Sequence, residues 1–220
     1  MTIQVHGTWH AFDLARELDK REHLNKIISK AGMHEVSDVD QNRVEKIPLD
    51  YLSGGLSKIP GFDLLDYDWY VNRLFEELAS RRIGNPDIFV GWSGTSLKSI
   101  KKAKEKGAVT VVERGSSHIE YQRDVLEEYE ELGLDFDERI INRELEEYQE
   151  ADFIVVPSKF AKRTFIEKGI NRKRVISVPL GADILDLSCR EFDDSFGTPD
   201  FLFVGGNGLR KGIRYLIDAW

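Results

Sequence analysis

Short apolar runs alternate with amphipathic stretches along this chain. Ile3-Gln4-Val5, Leu24 to Ser29, Val44 to Ile47, Asp87 to Val90, Val109 to Val112, Phe153 to Val156 and Val175 to Val178 are rich in Val, Ile and Phe. They are too short for helices and read as strands. Ala11 to Lys20, Tyr67 to Arg82, Leu97 to Lys106 and Lys159 to Lys168 repeat apolar residues three and four apart and read as helices. Residues 49 to 63, with Gly54-Gly55 and Pro60-Gly61, read as loop. Apolar strands separated by helices predict a parallel sheet covered on both faces, a doubly wound α/β domain.

Charge changes the picture in one place. The 220 residues carry a net charge of −8. Glu120 to Glu150 holds thirteen acids against three arginines, a net of −10, so the rest of the chain carries +2. Apolar residues recur through that stretch at helical spacing. It reads as two amphipathic helices with solvated acidic faces. A basic run follows: Lys159, Lys162, Arg163, Lys168, Arg172, Lys173 and Arg174. It reads as a solvated helix, or as a surface for anionic ligands or a membrane. Aromatics are not interleaved with these cations as base-stacking platforms, so no nucleic-acid partner is expected. No apolar stretch is long enough for a transmembrane helix. The N-terminus lacks a basic-then-apolar secretory pattern, and Cys189 is the single cysteine, which together suggest a reducing, cytoplasmic setting.

Ligands of open α/β sheets bind beyond the carboxyl ends of the strands, where loops and helix N-termini present unpaired N–H groups. Four loops qualify: His6-Gly7-Thr8-Trp9-His10, then Gly91 to Ser96, then Glu113 to His118, and Gly205 to Gly212. Trp9, Trp92, Ser93 and Arg114 lie in these loops. His118 either caps the following helix or donates to a sugar hydroxyl or phosphate oxygen. His6 and His10 stand four apart without a shared helix or a His-Glu-x-x-His motif, so no metal site is expected. Three Asp-x-Asp matches, at Asp38, Asp66 and Asp135, read as surface. Lys211 follows a glycine-rich turn at the start of a helix, which suits a diphosphate. That turn departs from the Walker pattern at Arg210, and its glycines fit a dinucleotide-turn variant weakly.

Domain organisation follows. Residues 1–182 read as one α/β domain and 183–199 as a linker. Residues 200–220 read as a buried strand, Phe201 to Val204, and a helix that open a second domain.

Three segments together carry a family resemblance: ADFIVVPSKFAKRTFIEKG, RVISVPLGAD and FLFVGGNGLRKGIRYLIDAW. In order and spacing they resemble the retaining glycosyltransferases of the GT-B fold, group 1 (family 4), and VVERGSSH is similar to the fifth-strand loop of that family with its histidine. The resemblance implies two Rossmann-like domains. It implies sugar transfer from a nucleotide-sugar donor to a glycan, lipid or small-molecule acceptor with retention at the anomeric carbon. No cofactor or metal is implied, because cations and a helix N-terminus neutralise the leaving diphosphate. By position, His118 matches the histidine that contacts the transferred sugar and Lys211 the diphosphate-binding lysine, with Arg210 beside it. Gly7 and Thr8 match the first loop near the donor phosphate. The resemblance also implies that residues 1–220 alone are inactive and that Trp9, Trp92, Ser93 and Arg114 line the acceptor side; the enzyme is expected in the cytoplasm, with the basic 159–174 segment a candidate for peripheral contact at the inner membrane face. Two other classes fit the pattern alone: an NAD(P)-dependent oxidoreductase built on the Gly205–Gly212 turn, and a binding module docking a partner through its acidic helices.

Overall fold

The computed structural model of the chain describes residues 1–7, 10–30, 39–49, 64–128, 136–181, 202–205 and 211–220. Seven strands form one sheet: β1 (Thr2–Val5), β2 (Lys26–Ser29), β3 (Val44–Lys46), β4 (Ile88–Trp92), β5 (Val109–Glu113), β6 (Phe153–Val156) and β7 (Val175–Ser177). Every pairing is parallel, and the spatial order is β3-β2-β1-β4-β5-β6-β7. The helices are α1 (Ala11–Lys20), α2 (Leu64–Ser80), α3 (Leu97–Glu105), α4 (Ile119–Glu127), α5 (Glu138–Glu150), α6 (Lys159–Glu167) and α7 (Ile213–Ala219). All seven strands expected for residues 1–182 are present, in a doubly wound, Rossmann-like arrangement. The chain builds outward from β1 to β3, then returns to start β4 on the other side of β1. The strand order therefore reverses between β1 and β4, where such sheets open a crevice at their carboxyl edge.

Two cores flank the sheet, because successive side chains on a strand point to opposite faces. On one face, Ile3, Val5, Ile27, Val90 and Trp92 pack with Ala11, Phe12 and Ala15 of α1. On the other, Ile28, Phe89, Val112 and Ile154 pack with Phe75 of α2, Ile100 of α3, Tyr148 of α5 and Phe165 of α6. The α1 face is covered less fully toward β7: Val109 and Ile176 are exposed. Leu24 lies in the α1-side core, yet β2 begins two residues later. Its N–H donates to the Leu18 carbonyl at the end of α1, so its apolar character marks burial and not strand.

The chain divides into two compact units. Met1–Arg123 with Phe136–Leu180 makes one, and Asp124–Asp135 with Gly181–Trp220 the other. The whole sheet belongs to the first. In the second, the expected buried strand is not found at Leu202 to Val204. Those residues form no strand, and Leu202 and Val204 are 87% and 81% exposed. A strand needs a neighbour for its N–H and C=O groups, and no described residue pairs with this segment. The expected helix is present as α7, entered through Gly212 in the left-handed region at φ 80°. Of the described residues, no helix is long and apolar enough to cross a membrane.

One glycine sets the contact between β4 and α3. A Cβ on Gly91 would stand 2.5 Å from both Cβ and Oγ of Ser96. Ser96 is held there because its hydroxyl donates to the Trp92 carbonyl at 2.7 Å. Gly91→Ala is therefore expected to push the start of α3 off the sheet and to cost about 1–3 kcal/mol, as overpacking of a close-packed interior does. Urea denaturation of the two proteins measures it.

Candidate functional site

The carboxyl edge of the sheet is built around buried charge. Three acids lie inside it: Glu76 on α2, and Glu144 and Glu147 on α5. Glu144 and Glu147 correct the expectation of a fully solvated acidic face. They share the inward stripe of α5 with Ile141 and Tyr148 at spacings of three and four, so the helix that buries its apolar residues buries them too.

Each acid has donors. Glu147 accepts from the backbone N–H groups of Gly94 (2.6 Å), Ser96 (2.6 Å) and Leu97 (3.1 Å). Glu76 accepts from the N–H of Lys98 (2.8 Å), from Arg73 (2.6 Å) and from Arg143. Glu144 accepts from Arg114 (3.1 Å) and from the Tyr148 hydroxyl (2.5 Å). The N-terminus of α3 was expected to be open to an anionic ligand. It is instead occupied by two of the protein's own carboxyl groups, Glu147 and Glu76, which satisfy its orphan N–H groups. Burial, with Glu144 and Glu76 nearby, still pushes the Glu147 carboxyl up to about 8, against the pull of the Ser96 and Gly94 N–H groups.

Several candidate residues belong to this scaffold. Arg114 binds Glu144, the Gln122 side chain at 2.9 Å and the Ser117 carbonyl at 3.2 Å. It is thereby committed to holding the β5 loop, which corrects its assignment to an open wall. Trp92, a second such candidate, is buried in the α1-side core and presents no open ring face. Ser93 is half-buried at the rim, and its N–H donates to the Glu113 carbonyl.

His118 stands at the predicted place, after β5, but its side chain is turned inward and the residue is 1% exposed. Its ring lies 4.9 Å from Phe165 and 5.2 Å from Tyr148, centroid to centroid. Its Nδ1 accepts from the Glu120 N–H at 3.3 Å, which is an N-cap of α4, and its own N–H donates to Thr164 Oγ1 at 3.0 Å. Ser158 caps α6 in the same way, accepting from the Ala161 N–H at 3.0 Å.

Gly7 follows β1 at the carboxyl edge. Thr8, Trp9 and Arg210 lie outside the described residues, as does nearly all of the 49–63 loop. In the second unit Lys211 is exposed just before α7, its Cγ 3.3 Å from where a Gly205 Cβ would stand. The basic run is partly structural. Arg174 donates to the carbonyls of Tyr148, Gln149 and Ala151 and so caps the end of α5. Lys159, Arg163, Arg172 and Lys173 are exposed.

Two groups at the edge, named in the sequence only as members of their loops, have shifted protonation. His6 contacts Thr95 Oγ1 through Nδ1 at 3.3 Å, and burial, with the charges of Lys30 and Arg73, lowers it to about 4. Glu113 ends β5 in register with Trp92 and Val155, and burial raises its carboxyl to about 7. The alternation of β5 could have placed Glu113 opposite Val112, away from the main core.

Two measurements test this edge. Glu147→Ala strands three N–H groups in the interior and leaves a cavity, and is expected to cost about 3–5 kcal/mol in denaturant titrations. Glu113 takes up its proton at a higher pH when folded than when unfolded. Its contribution is therefore complete below about pH 4.5 and is lost as pH rises through about 7. Glu113→Gln keeps its stability over that window. The Tm difference, variant minus wild type, should grow from pH 4.5 to pH 7.5.

Comparison with known proteins bears on the whole edge. The family model described as Glycosyltransferase Family 4 matches residues 7–184. No curated protein matches the chain. Among solved structures, it is similar to Anabaena Alr3699/HepE in complex with UDP and glucose, at 11% identity and a TM-score of 0.48, over 83% of this chain and 44% of that one. It is also similar to a putative UDP-N-acetylglucosamine 2-epimerase from Listeria monocytogenes, at 13% identity and a TM-score of 0.46, over 79% and 42%. A third is the lipopolysaccharide outer core galactosyltransferase WaaB, at 11% identity and a TM-score of 0.39, over 84% and 46%. The chain spans less than half the length of each of these. With its family match running from the first loop of the sheet to beyond β7, the chain belongs to glycosyltransferase family 4.

Proposed function

We propose that this chain is the acceptor-side domain of a retaining glycosyltransferase that moves a sugar from a nucleotide-sugar donor to an acceptor. The observation that carries the reading is the family match over residues 7–184. It is supported by a parallel sheet whose order reverses between β1 and β4, with Gly7, Ser93 and the β5 loop at its carboxyl edge. Lys211 and Arg210, in the segment 200–220, are proposed to neutralise the donor diphosphate, with Gly7 and Thr8 near the phosphate. In this reading no cofactor takes part, 183–199 is a linker, and the exposed cations of 159–174 face an anionic membrane surface. Retention of configuration follows the family resemblance.

His118 has two jobs in this reading. It starts α4 and locks the loop between α6 and α5, and it is the family's sugar-contacting histidine. A direct contact requires the 114–118 loop to turn the imidazole outward when donor and acceptor bind.

The first test is turnover. Residues 1–220 alone are expected to transfer no sugar from UDP- or GDP-linked donors, whereas a chain extended by a complete donor-side domain is expected to do so. Turnover by residues 1–220 would refute the division of labour between the domains. In the extended enzyme, His118→Ala is expected to lower the transfer rate by roughly 10²-fold or more, the size of one lost transition-state contact. An unchanged rate with a lower Tm would confine His118 to its helix-start role.

A further inference from the structure

β1 and β2 end in register, Val5 beside Ser29, so His6 and Lys30 leave the sheet side by side at its carboxyl edge. The turn after β4 meets the β1 end from the other side of the strand-order reversal. Gln4 Nε2 donates to the Thr95 carbonyl at 2.6 Å, and Thr95 Oγ1 meets the His6 ring at 3.3 Å. Arg73 of α2 reaches the same turn and donates to the Gly94 carbonyl.

Positive charge is in excess here. Glu76 is one carboxylate serving two guanidiniums, Arg73 and Arg143. Glu147 acts on Arg73 too, but burial pushes its carboxyl up to about 8, so it is mostly protonated at pH 7 and the cluster carries +1. Lys30 adds a second positive charge and forms no ion pair among the described residues. Arg73 Nε and Gln4 Oε1 are buried with no hydrogen-bond partner. Burial first, and the charges of Lys30 and Arg73 after it, disfavour a proton on His6, so the imidazole between the β1 end and the β4 turn is neutral at pH 7. The N-terminus of α3, the nearest cradle for an anion, is already filled by Glu147 and Glu76.

We propose that Lys30 and Arg73, flanking His6 at the β1–β4 crevice, form a subsite for a phosphate group carried by the acceptor. The proposal rests on reading this edge as the acceptor side of a transferase. Two cations of different type suit a phosphate dianion: Arg73 through directed N–H bonds, Lys30 as a mobile point charge. Because the subsite lies in the first compact unit, it binds without turnover and can fail while the transferase reading stands, or the reverse.

The experiment is a titration of the 220-residue chain with inorganic phosphate, glucose 6-phosphate and UDP, followed by calorimetry and by the NMR signals of His6. Inorganic phosphate and glucose 6-phosphate are expected to bind saturably at the same place, more weakly as salt is raised. Lys30→Gln is expected to raise both dissociation constants at least ~10-fold, the effect of losing about 1.4 kcal/mol, with the Tm unchanged. Lys102→Gln, in the last turn of α3 at the opposite edge of the sheet, is expected to bind as the parent does. No saturable binding, or equal binding by Lys30→Gln, overturns the subsite. Displacement of both phosphates by UDP assigns the charge to the donor and overturns the acceptor assignment.

Discussion

The Glu147 carboxyl group, seated on the N–H groups of Gly94, Ser96 and Leu97, is the contact on which the carboxyl edge of this domain depends. It joins elements distant in the chain: the turn leaving β4 and the middle of α5. A helix N-terminus buried against a sheet needs partners for its first N–H groups, and water is excluded there. Glu147 and Glu76 supply them from two other helices. Once the acids are inside, cations must follow, since an unpaired buried charge is costly. Arg73, Arg143 and Arg114 are the answer, and each is then fixed in place by the carboxylate it serves. The rim therefore owes its rigidity to a few charged side chains as much as to the apolar cores beneath.

That arrangement bears on what a family 4 domain can offer a substrate. A helix N-terminus open to solvent would draw any phosphate. Here that position is closed by the carboxyl groups of Glu147 and Glu76. Gly91 belongs to the same design: without a side chain there, β4 and Ser96 can approach closely enough for the turn to reach Glu147. Backbone approach, acid placement and arginine placement each presuppose the others.

The architecture was legible because each strand is a short apolar run and each helix a periodic one, so the period of two and that of 3.6 do not overlap. Leu24 shows the limit at an element's end: an apolar residue bound for the core extends a strand pattern whether or not its backbone joins the ladder. Leu202 to Val204 shows a second limit, for an apolar run is a strand only where a neighbour pairs with it. The edge chemistry was less legible. Glu144 and Glu147 sit in a run of acids whose other members are mostly exposed, and only the phase of α5 relative to Ile141 and Tyr148 separates inside from outside. Trp92 and Arg114 occupy the loops where substrate contacts were expected. Position along the sheet axis can be read from sequence, but the direction in which a side chain turns at the strand's end is decided by partners far away in the chain.

His118 brings the two kinds of information together. Its place after β5 follows from the strand pattern, and its neighbours follow from three separate helices: Tyr148 on α5, and Thr164 and Phe165 on α6, with Glu120 on α4. A residue so enclosed is well suited to hold one loop shape while the site is empty. The same enclosure sets a cost on turning outward, since the ring would leave two aromatic contacts and the α4 cap behind. Any sugar contact by this histidine must repay that cost from substrate binding.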